Sequence, residues 1–253
     1  MAPFQFNYAG VADEVRLMFN EAYAAQYRES DELEVASDNH HQICMLLANI
    51  SQSFDHQIVV LDLGCGSGRY FHCLKNVKWL VGLDISLPIL LQARHPVKSE
   101  EIQCKKIDLV SGNILELQLA PNSFDLIYSI GVLGEHSPFD TYICDKLFDL
   151  LKPGGELLFS VVDVKSKFQS MSWKRRMAEA ACPFLPAPVQ RPLRKRLNCY
   201  YMTRSQLDWI MRQSGFCDYK ITRRVSTAPH WIGAHYECLA TKAKADPAIP
   251  KLR

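Results

Sequence analysis

The chain has 253 residues, of which 48% are hydrophobic and 22% charged, and its formal net charge is +2 at pH 7. This length suits one domain with decorations, and the composition is ordinary for a soluble globular protein. No apolar run approaches the roughly 18 residues of a membrane span, and the first residues lack the basic-then-apolar pattern of a secretion signal. These features argue against a membrane protein and predict a cytoplasmic one.

The nine cysteines of the chain include no Cys-x-x-Cys pair, and their number is odd. A disulfide framework normally uses an even number, and a zinc site normally uses closely spaced pairs. The sequence therefore predicts reduced, partly buried thiols and no metal site.

Residues 1–57 are predicted to form a helical lead-in that covers the following domain. Apolar residues recur at nearly helical spacing over 11–28, which predicts an amphipathic helix. A second helix is predicted over 38–51, with Ser37 or Asp38 as its N-cap.

The main domain is predicted over 58–242, and a frayed tail over 243–253. Its strands are predicted at 58–63, 79–84, 105–110, 124–129 and 155–162, and its helices at 68–75, 86–94 and 139–151. A capping box from Thr203 to Gln206 opens a further helix through Gln213, and strands at 216–225 and 234–242 close the domain. Such alternation predicts a doubly wound α/β fold whose ligands bind at the C-terminal ends of parallel strands.

One glycine-rich turn carries the strongest functional signal. The apolar strand 58–63 runs directly into Gly64, Gly66 and Gly68, which allow positive φ and let a ligand approach bare backbone. The dinucleotide fingerprint is G-x-G-x-x-G, and Gly68 comes one residue too early for it. Asp84 follows Gly64 by twenty positions at the end of the next strand, where a carboxylate that holds ribose hydroxyls is expected in such folds.

This stretch resembles the first motif of the class I S-adenosylmethionine-dependent methyltransferases. The resemblance continues through Asp84, the segment 111–114, the strand 122–130 and the turn 151–159. It implies a Rossmann-like, seven-stranded sheet with an antiparallel closing strand, and an enzyme whose cofactor is S-adenosyl-L-methionine. Asn113 stands where the family usually has an acidic residue, although an amide can still bond an adenine edge.

The resemblance also implies the site residues. The implied cofactor contacts are Tyr27, Asp62, Gly64, Cys65, Gly66, Gly68, Asp84, Ile85, Asn113, Ile114 and Ile130. Tyr27 and Tyr23 lie on the lead-in and would either reach the cofactor or pack that helix onto the domain. Methyl transfer is an in-line displacement that requires a base only if the acceptor must lose a proton early. His136 is the first candidate for that base and Glu135 the second.

The segment 165–204 carries ten basic residues against Glu179 alone, a net charge of +9, so the remainder of the chain is near −7. This basic insertion after the fifth strand has three interpretations: it holds an anionic small substrate, it contacts RNA phosphates, or it is a solvated surface. The leading hypothesis is a methyltransferase acting on a small organic acceptor. The alternatives are an RNA methyltransferase of the tRNA-modifying type and a cofactor-binding protein that transfers no methyl group.

Overall fold

The computed structural model describes residues 8–116, 118–166, 200–226 and 233–244, together with the single positions 177, 181 and 186. Seven strands form one sheet in the order β3-β2-β1-β4-β5-β7-β6. The strands are β1 (Ile58–Leu63), β2 (Val77–Asp84), β3 (Ile107–Ser111), β4 (Phe124–Ser129), β5 (Leu151–Val162), β6 (Asp218–Ser226) and β7 (Gly233–Thr241). The first five pair in parallel, and β7 runs antiparallel to both β5 and β6. This topology confirms the predicted doubly wound sheet with its antiparallel closing strand.

Helices cover both faces of the sheet. They are α1 (Tyr8–Met18), α2 (Glu21–Glu34), α3 (Asp38–Gln52), α4 (Leu87–Gln92), α5 (Thr141–Leu150) and α6 (Arg204–Gln213). Alternate residues of a strand point to opposite faces, so Leu61 and Ile127 pack with α5 and α6, while Val60 and Leu126 pack with α3 and α4. No described helix combines the length and the apolar character that a bilayer crossing requires.

Side-chain caps fix the starts of two predicted helices. Ser37 accepts a hydrogen bond from the backbone N–H of His40 at 3.1 Å and caps α3. Thr203 and Gln206 form the predicted capping box of α6, each side chain bonding the other's backbone N–H.

The single helix predicted over 11–28 is wrong, because the chain breaks between α1 and α2. Asn20 is extended, with φ −83° and ψ −177°, and its side chain accepts from the backbone N–H of Tyr23. Asn20 therefore starts a new helix instead of continuing the first one.

The helix predicted over 68–75 is also wrong, since only a 3-10 turn, Phe71–Cys73, forms there. The chain must return along β1 before it pairs Val77 with Ile58. Six strand residues span about 20 Å, whereas the eight residues between Gly68 and Val77 would cover only about 12 Å as an α-helix. A shorter turn followed by extended chain bridges that distance.

Among the seven cysteines that the structure describes, one pair departs from the prediction. Cys44 and Cys73 are joined as a disulfide, whereas Cys65, Cys104, Cys144, Cys217 and Cys238 are free thiols. Residues 44 and 73 are far apart in sequence, and only the packing of α3 on the 3-10 turn brings them together.

Most of the basic insertion lies outside the described residues. Of its ten basic side chains, Lys165 and Arg204 belong to the described part of the chain. The interpretations of this segment, and the domain boundaries given above, stay predictions.

Candidate active site

A cavity lies where β1, β2, β3 and β4 end, at the edge that a parallel sheet predicts for a ligand. Its floor is the glycine loop after β1 and the end of β2, and its sides are the loops that follow β3 and β4. Helices α1 and α2 form the wall opposite the sheet. Nine of the predicted site residues line this cavity: Tyr27, Gly64, Gly66, Asp84, Ile85, Asn113, Ile114, Ile130 and His136.

The glycine loop exposes backbone to the cavity. Gly64 and Gly66 have φ values of +77° and +56°, which side-chain-bearing residues rarely adopt. A Cβ atom on Gly64 would lie 2.3 Å from Cγ2 of Val132, and one on Gly66 would lie 2.9 Å from the Tyr27 hydroxyl. Both positions therefore require glycine for space as well as for conformation.

Asp84 connects the end of β2 to the glycine loop. Its Oδ2 accepts from the backbone N–H of Gly66 and its Oδ1 from that of Ser86, each at 2.8 Å. Burial raises the pKa of Asp84 above its ordinary value, while the N–H donors of Ser86 and Gly66 act in the opposite direction. The two bonds fix the carboxylate in one orientation at the cavity wall.

The wall after β3 is shaped by Asn113. Its Oδ1 accepts from the backbone N–H of Leu115 at 3.0 Å, so the side chain closes its own turn. The predicted contact between Asn113 and adenine would therefore have to use donor and acceptor sites of the amide that this hydrogen bond does not occupy. Ile85, Ile114 and Ile130 supply apolar surface around it.

Three predicted cofactor residues, Asp62, Cys65 and Gly68, do not line the cavity among the described residues. Asp62 is buried below the loop, its Oδ2 has no hydrogen-bond partner in the described part of the chain, and burial raises its pKa to about 8. The Cys65 side chain points into the core against Gly82, and burial raises the pKa of its thiol. Gly68 faces the Phe71 ring.

His136 lies on the wall that follows β4. Its ring meets the Phe19 ring edge-on, with centroids 5.0 Å apart. Burial lowers the pKa of His136 from 6.5 to about 4, so the imidazole is neutral at physiological pH. Its Nδ1 has no hydrogen-bond partner among the described residues. Glu135 does not line the cavity, and its charge instead helps to raise the pKa of Tyr23 after the larger effect of burial.

Helix α1 belongs to the predicted lead-in, but none of its residues was predicted to be part of the site. Five residues on or just after it line the cavity: Tyr8, Val11, Ala12, Val15 and Phe19. The Tyr8 hydroxyl donates to the Asp140 carboxylate, which also caps α5. The apolar spacing of Val11 and Val15 could have indicated a buried face, but nothing in it identified the cavity as the surface it covers.

Buried polar contacts connect α2 to the glycine loop. Asp31, only 1% exposed, pairs with Arg69 at 3.0 Å and accepts a hydrogen bond from the Ser67 hydroxyl. The Ser86 hydroxyl donates to the backbone carbonyl of Phe19 at 2.5 Å. Burial raises the pKa of Asp31, and Arg69 partly offsets that effect. The lead-in helices are thus bonded to the same loop that forms the cavity floor.

Curated proteins similar to this chain act on different acceptors. The chain is 30% identical over 178 residues to a tRNA U34 carboxymethyltransferase of Helicobacter acinonychis, covering 68% of this chain and 60% of that protein. It is also 30% identical over 102 residues to a demethylmenaquinone methyltransferase of Oceanobacillus iheyensis, covering 39% of this chain and 42% of the relative. The chain thus spans less than two thirds of either relative.

Solved structures share the fold at low sequence identity. The phosphoethanolamine N-methyltransferase 2 of Haemonchus contortus, in complex with S-adenosyl-L-methionine, matches with a TM-score of 0.63 and 13% identity over 95% of this chain and 61% of that one. An S-adenosylmethionine-dependent methyltransferase of Thermotoga maritima matches with a TM-score of 0.56 and 18% identity over 90% and 99% of the two chains.

The match to a family gives the assignment. The family model described as a methyltransferase domain covers residues 54–215, more than half of the chain, from just before β1 to just after α6. The chain therefore belongs to the methyltransferase domain family and is an S-adenosylmethionine-dependent enzyme of the class I fold.

Proposed function

We propose that this enzyme methylates a small organic acceptor that binds between α1 and the loop after β4, beside His136. The observation that carries the proposal is the wall formed by α1. The aromatic and aliphatic side chains of this helix cover the cavity directly opposite the sheet. An acceptor that binds under this wall, in a largely apolar space shared with the cofactor, has to be compact.

The residues on the sheet side fit the cofactor. The backbone of Gly64 and Gly66, which lines the cavity, would contact the amino-acid end, and the fixed carboxylate of Asp84 would accept hydrogen bonds from ribose hydroxyls. Ile85 and Ile114 would pack against the adenine, near Asn113. When bound, S-adenosylmethionine supplies an electrophilic methyl group on a sulfonium.

The remaining walls would orient the acceptor and exclude water. Phe19 and Val15 cover the cavity with apolar surface, which would strengthen the polar contacts inside it. His136 is the proposed base, since its neutral imidazole can accept a proton that the acceptor loses during transfer. Because its pKa is about 4, it is a weaker base than an ordinary histidine, so it suits an acceptor that loses its proton late or readily.

RNA is the second candidate acceptor, supported by the tRNA-modifying relative and by the basic insertion. The cavity itself argues for the first candidate. Among the described residues that line it, none is a lysine or an arginine. A phosphate, whether of RNA or of an anionic small molecule, would therefore have to be held by basic residues outside this lining, and the segment 165–204 carries ten of them.

The test is transfer of radiolabelled methyl from S-adenosylmethionine into a cell extract, which is then separated into RNA, protein and small-molecule fractions. We expect the label in the small-molecule fraction, insensitive to ribonuclease. The Asp84→Ala variant should transfer far less label. Asp108→Ala is the matched control, because Asp108 lies on β3, outside the cavity, and pairs with Lys106.

Label that disappears on ribonuclease treatment would assign the enzyme to RNA and overturn the small-acceptor proposal. Equal labelling by wild type and Asp84→Ala would instead contradict the assignment of the cofactor side, whichever fraction carries the label.

A further inference from the structure

Two histidines and two cysteines meet on the side of the sheet that α3 covers, outside the cavity. His40 and Cys44 belong to α3, and His72 and Cys73 belong to the 3-10 turn after the glycine loop. One ligand-type atom from each of the four residues lies within 4.8 Å of all the others. His40 and Cys44 are four residues apart, so they share one face of their helix.

The polar atoms of this cluster face one another. The Cys44 sulfur lies 3.2 Å from Nε2 of His40 and 3.8 Å from Nε2 of His72, and the Cys73 sulfur lies 3.5 Å from Nε2 of His72. His40, His72 and Cys73 are buried, and Cys44 is partly buried. As far as the described residues go, the Nδ1 atom of each histidine has no hydrogen-bond partner. The side chains thus direct two nitrogens and two sulfurs at one small volume.

We propose that His40, Cys44, His72 and Cys73 form a binding site for a single divalent ion of the zinc class. Two imidazole nitrogens and two thiolates are a ligand set that zinc prefers, and four protein ligands close a tetrahedral structural site. The predicted absence of a metal site rested on sequence spacing. That spacing does not show this cluster, because its halves lie on separate elements.

The ion and the disulfide between Cys44 and Cys73 exclude each other. A thiol reductant supplies two electrons and two protons to break the S–S bond and leave two thiols. Metal binding then releases two protons to solvent, because each sulfur binds as a thiolate. The site is therefore a property of the reduced protein.

The cluster lies next to the turn that follows the glycine loop. The His40 ring stacks on Tyr70 with centroids 5.2 Å apart, and Tyr70 directly precedes the 3-10 turn. An ion held here would join α3 to this segment, which forms one turn where an α-helix was predicted. We infer that its role is to stabilise the chain that leaves the glycine loop.

The first experiment titrates Co²⁺ into the reduced, metal-free full-length protein. We expect one equivalent to bind and to give a thiolate-to-cobalt charge-transfer band together with the intense visible bands of a tetrahedral site. Zn²⁺ should displace the cobalt and abolish both sets of bands. The same protein with the disulfide formed should show neither. Reduced wild-type protein that gives no charge-transfer band would overturn the proposal, and this readout needs no variant to fold.

Two serine variants locate the ion. Cys73→Ser should weaken Co²⁺ binding at least on the order of a hundredfold, because removing even an outer-shell partner of a ligand can cost that much. Cys104→Ser should retain wild-type binding, because Cys104 is a partly buried free thiol outside the cluster, where it bonds the carbonyl of Lys106. Equal loss of the charge-transfer band in the two variants, or unchanged binding by Cys73→Ser, would show that the ion is not held by this cluster.

Discussion

Asp84 has two roles at the candidate site, because it holds the glycine loop and faces the cavity. Its oxygens accept the backbone N–H groups of Gly66 and Ser86. These bonds fix the carboxylate before any ligand arrives, so little side-chain freedom is lost when the ligand binds. A single side chain thus connects the conformation of the loop to the affinity of the site.

Replacing Asp84 with alanine should weaken binding of S-adenosylmethionine by about 2 to 3 kcal/mol, the value of hydrogen bonds to a charged group. Isothermal titration calorimetry measures this change, with Asp108→Ala as the control carboxylate. Unchanged affinity in Asp84→Ala would show that the carboxylate does not hold the cofactor.

His136 gives a prediction with a defined pH dependence. Replacing it with glutamine should lower kcat about 100-fold if the imidazole takes the proton of the acceptor. Ser137→Ala is the control, since Ser137 lines the same wall without a titratable ring.

The activity of the wild-type enzyme at low pH should also depend on the protonation of His136. Because the pKa of His136 is lowered from 6.5 to about 4, the neutral form persists as pH falls through 6.5, and activity should decline only as pH approaches about 4. Full activity in His136→Gln would contradict the assignment of the base. An acid limb near 6.5 that this variant removes would keep His136 as the base and contradict only its lowered pKa.

At the scale of elements, the glycine loop, α2 and the 3-10 turn act together. Asp31 on α2 holds Ser67 and Arg69, the residues that flank the last glycine of the loop. The Tyr27 hydroxyl on the same helix fills the space that a side chain on Gly66 would need. The loop is therefore shaped by side chains of α2 that precede the loop residues they contact by more than thirty positions.

Gly66→Ala should both strain the backbone and push Tyr27 away from the loop. We expect about 1 to 2 kcal/mol of lost stability from the positive φ and a cofactor affinity at least about tenfold lower. The matched control is Gly154→Ala, where φ is +79° but the new Cβ would meet only the Lys244 side chain. Thermal melts of the two variants measure the cost of the backbone strain. Cofactor titrations measure the additional effect of the steric clash with Tyr27. Equal loss of cofactor affinity in both would rule out a specific role for the Tyr27 contact.

At the scale of the whole molecule, the strand order creates the site. The sheet runs outward from β1 to β3 on one side and from β4 to the closing pair on the other, so the chain reverses direction between β1 and β4. The loops after these two strands separate there and leave a crevice. The glycine loop comes from one side of that crevice and His136 from the other.

Ligand binding should stabilise the entire domain. S-adenosylhomocysteine at about 100 times its Kd should contribute about 2.7 kcal/mol and raise Tm by about 5 to 10 °C in a chain of this size. Differential scanning fluorimetry measures the shift, with a nicotinamide dinucleotide at the same concentration as control. A larger shift with the dinucleotide would overturn the inference drawn from the spacing of Gly64, Gly66 and Gly68.

Local patterns were sufficient for the sheet, and they named nine residues that line the cavity. Apolar runs and turn residues predicted all seven strands, and the alternating glycines with Asp84 predicted which strand ends would meet. These features are local because strand formation and positive φ depend on neighbouring residues. The break at Asn20 was missed because the Asn20 side chain caps a new helix there. The 3-10 turn at Phe71 was missed because the chain has to span the length of β1 before β2 begins.

What the sequence by itself determined about this protein is its fold and the nature of its cofactor. Only the tertiary structure decided which residues share a surface: α1 over the cavity, Asp31 beside Arg69, and His40 and Cys44 beside His72 and Cys73. Each of these contacts joins residues well separated in sequence. Their proximity follows from how complete elements pack on the sheet, and no periodicity or spacing within either segment records it.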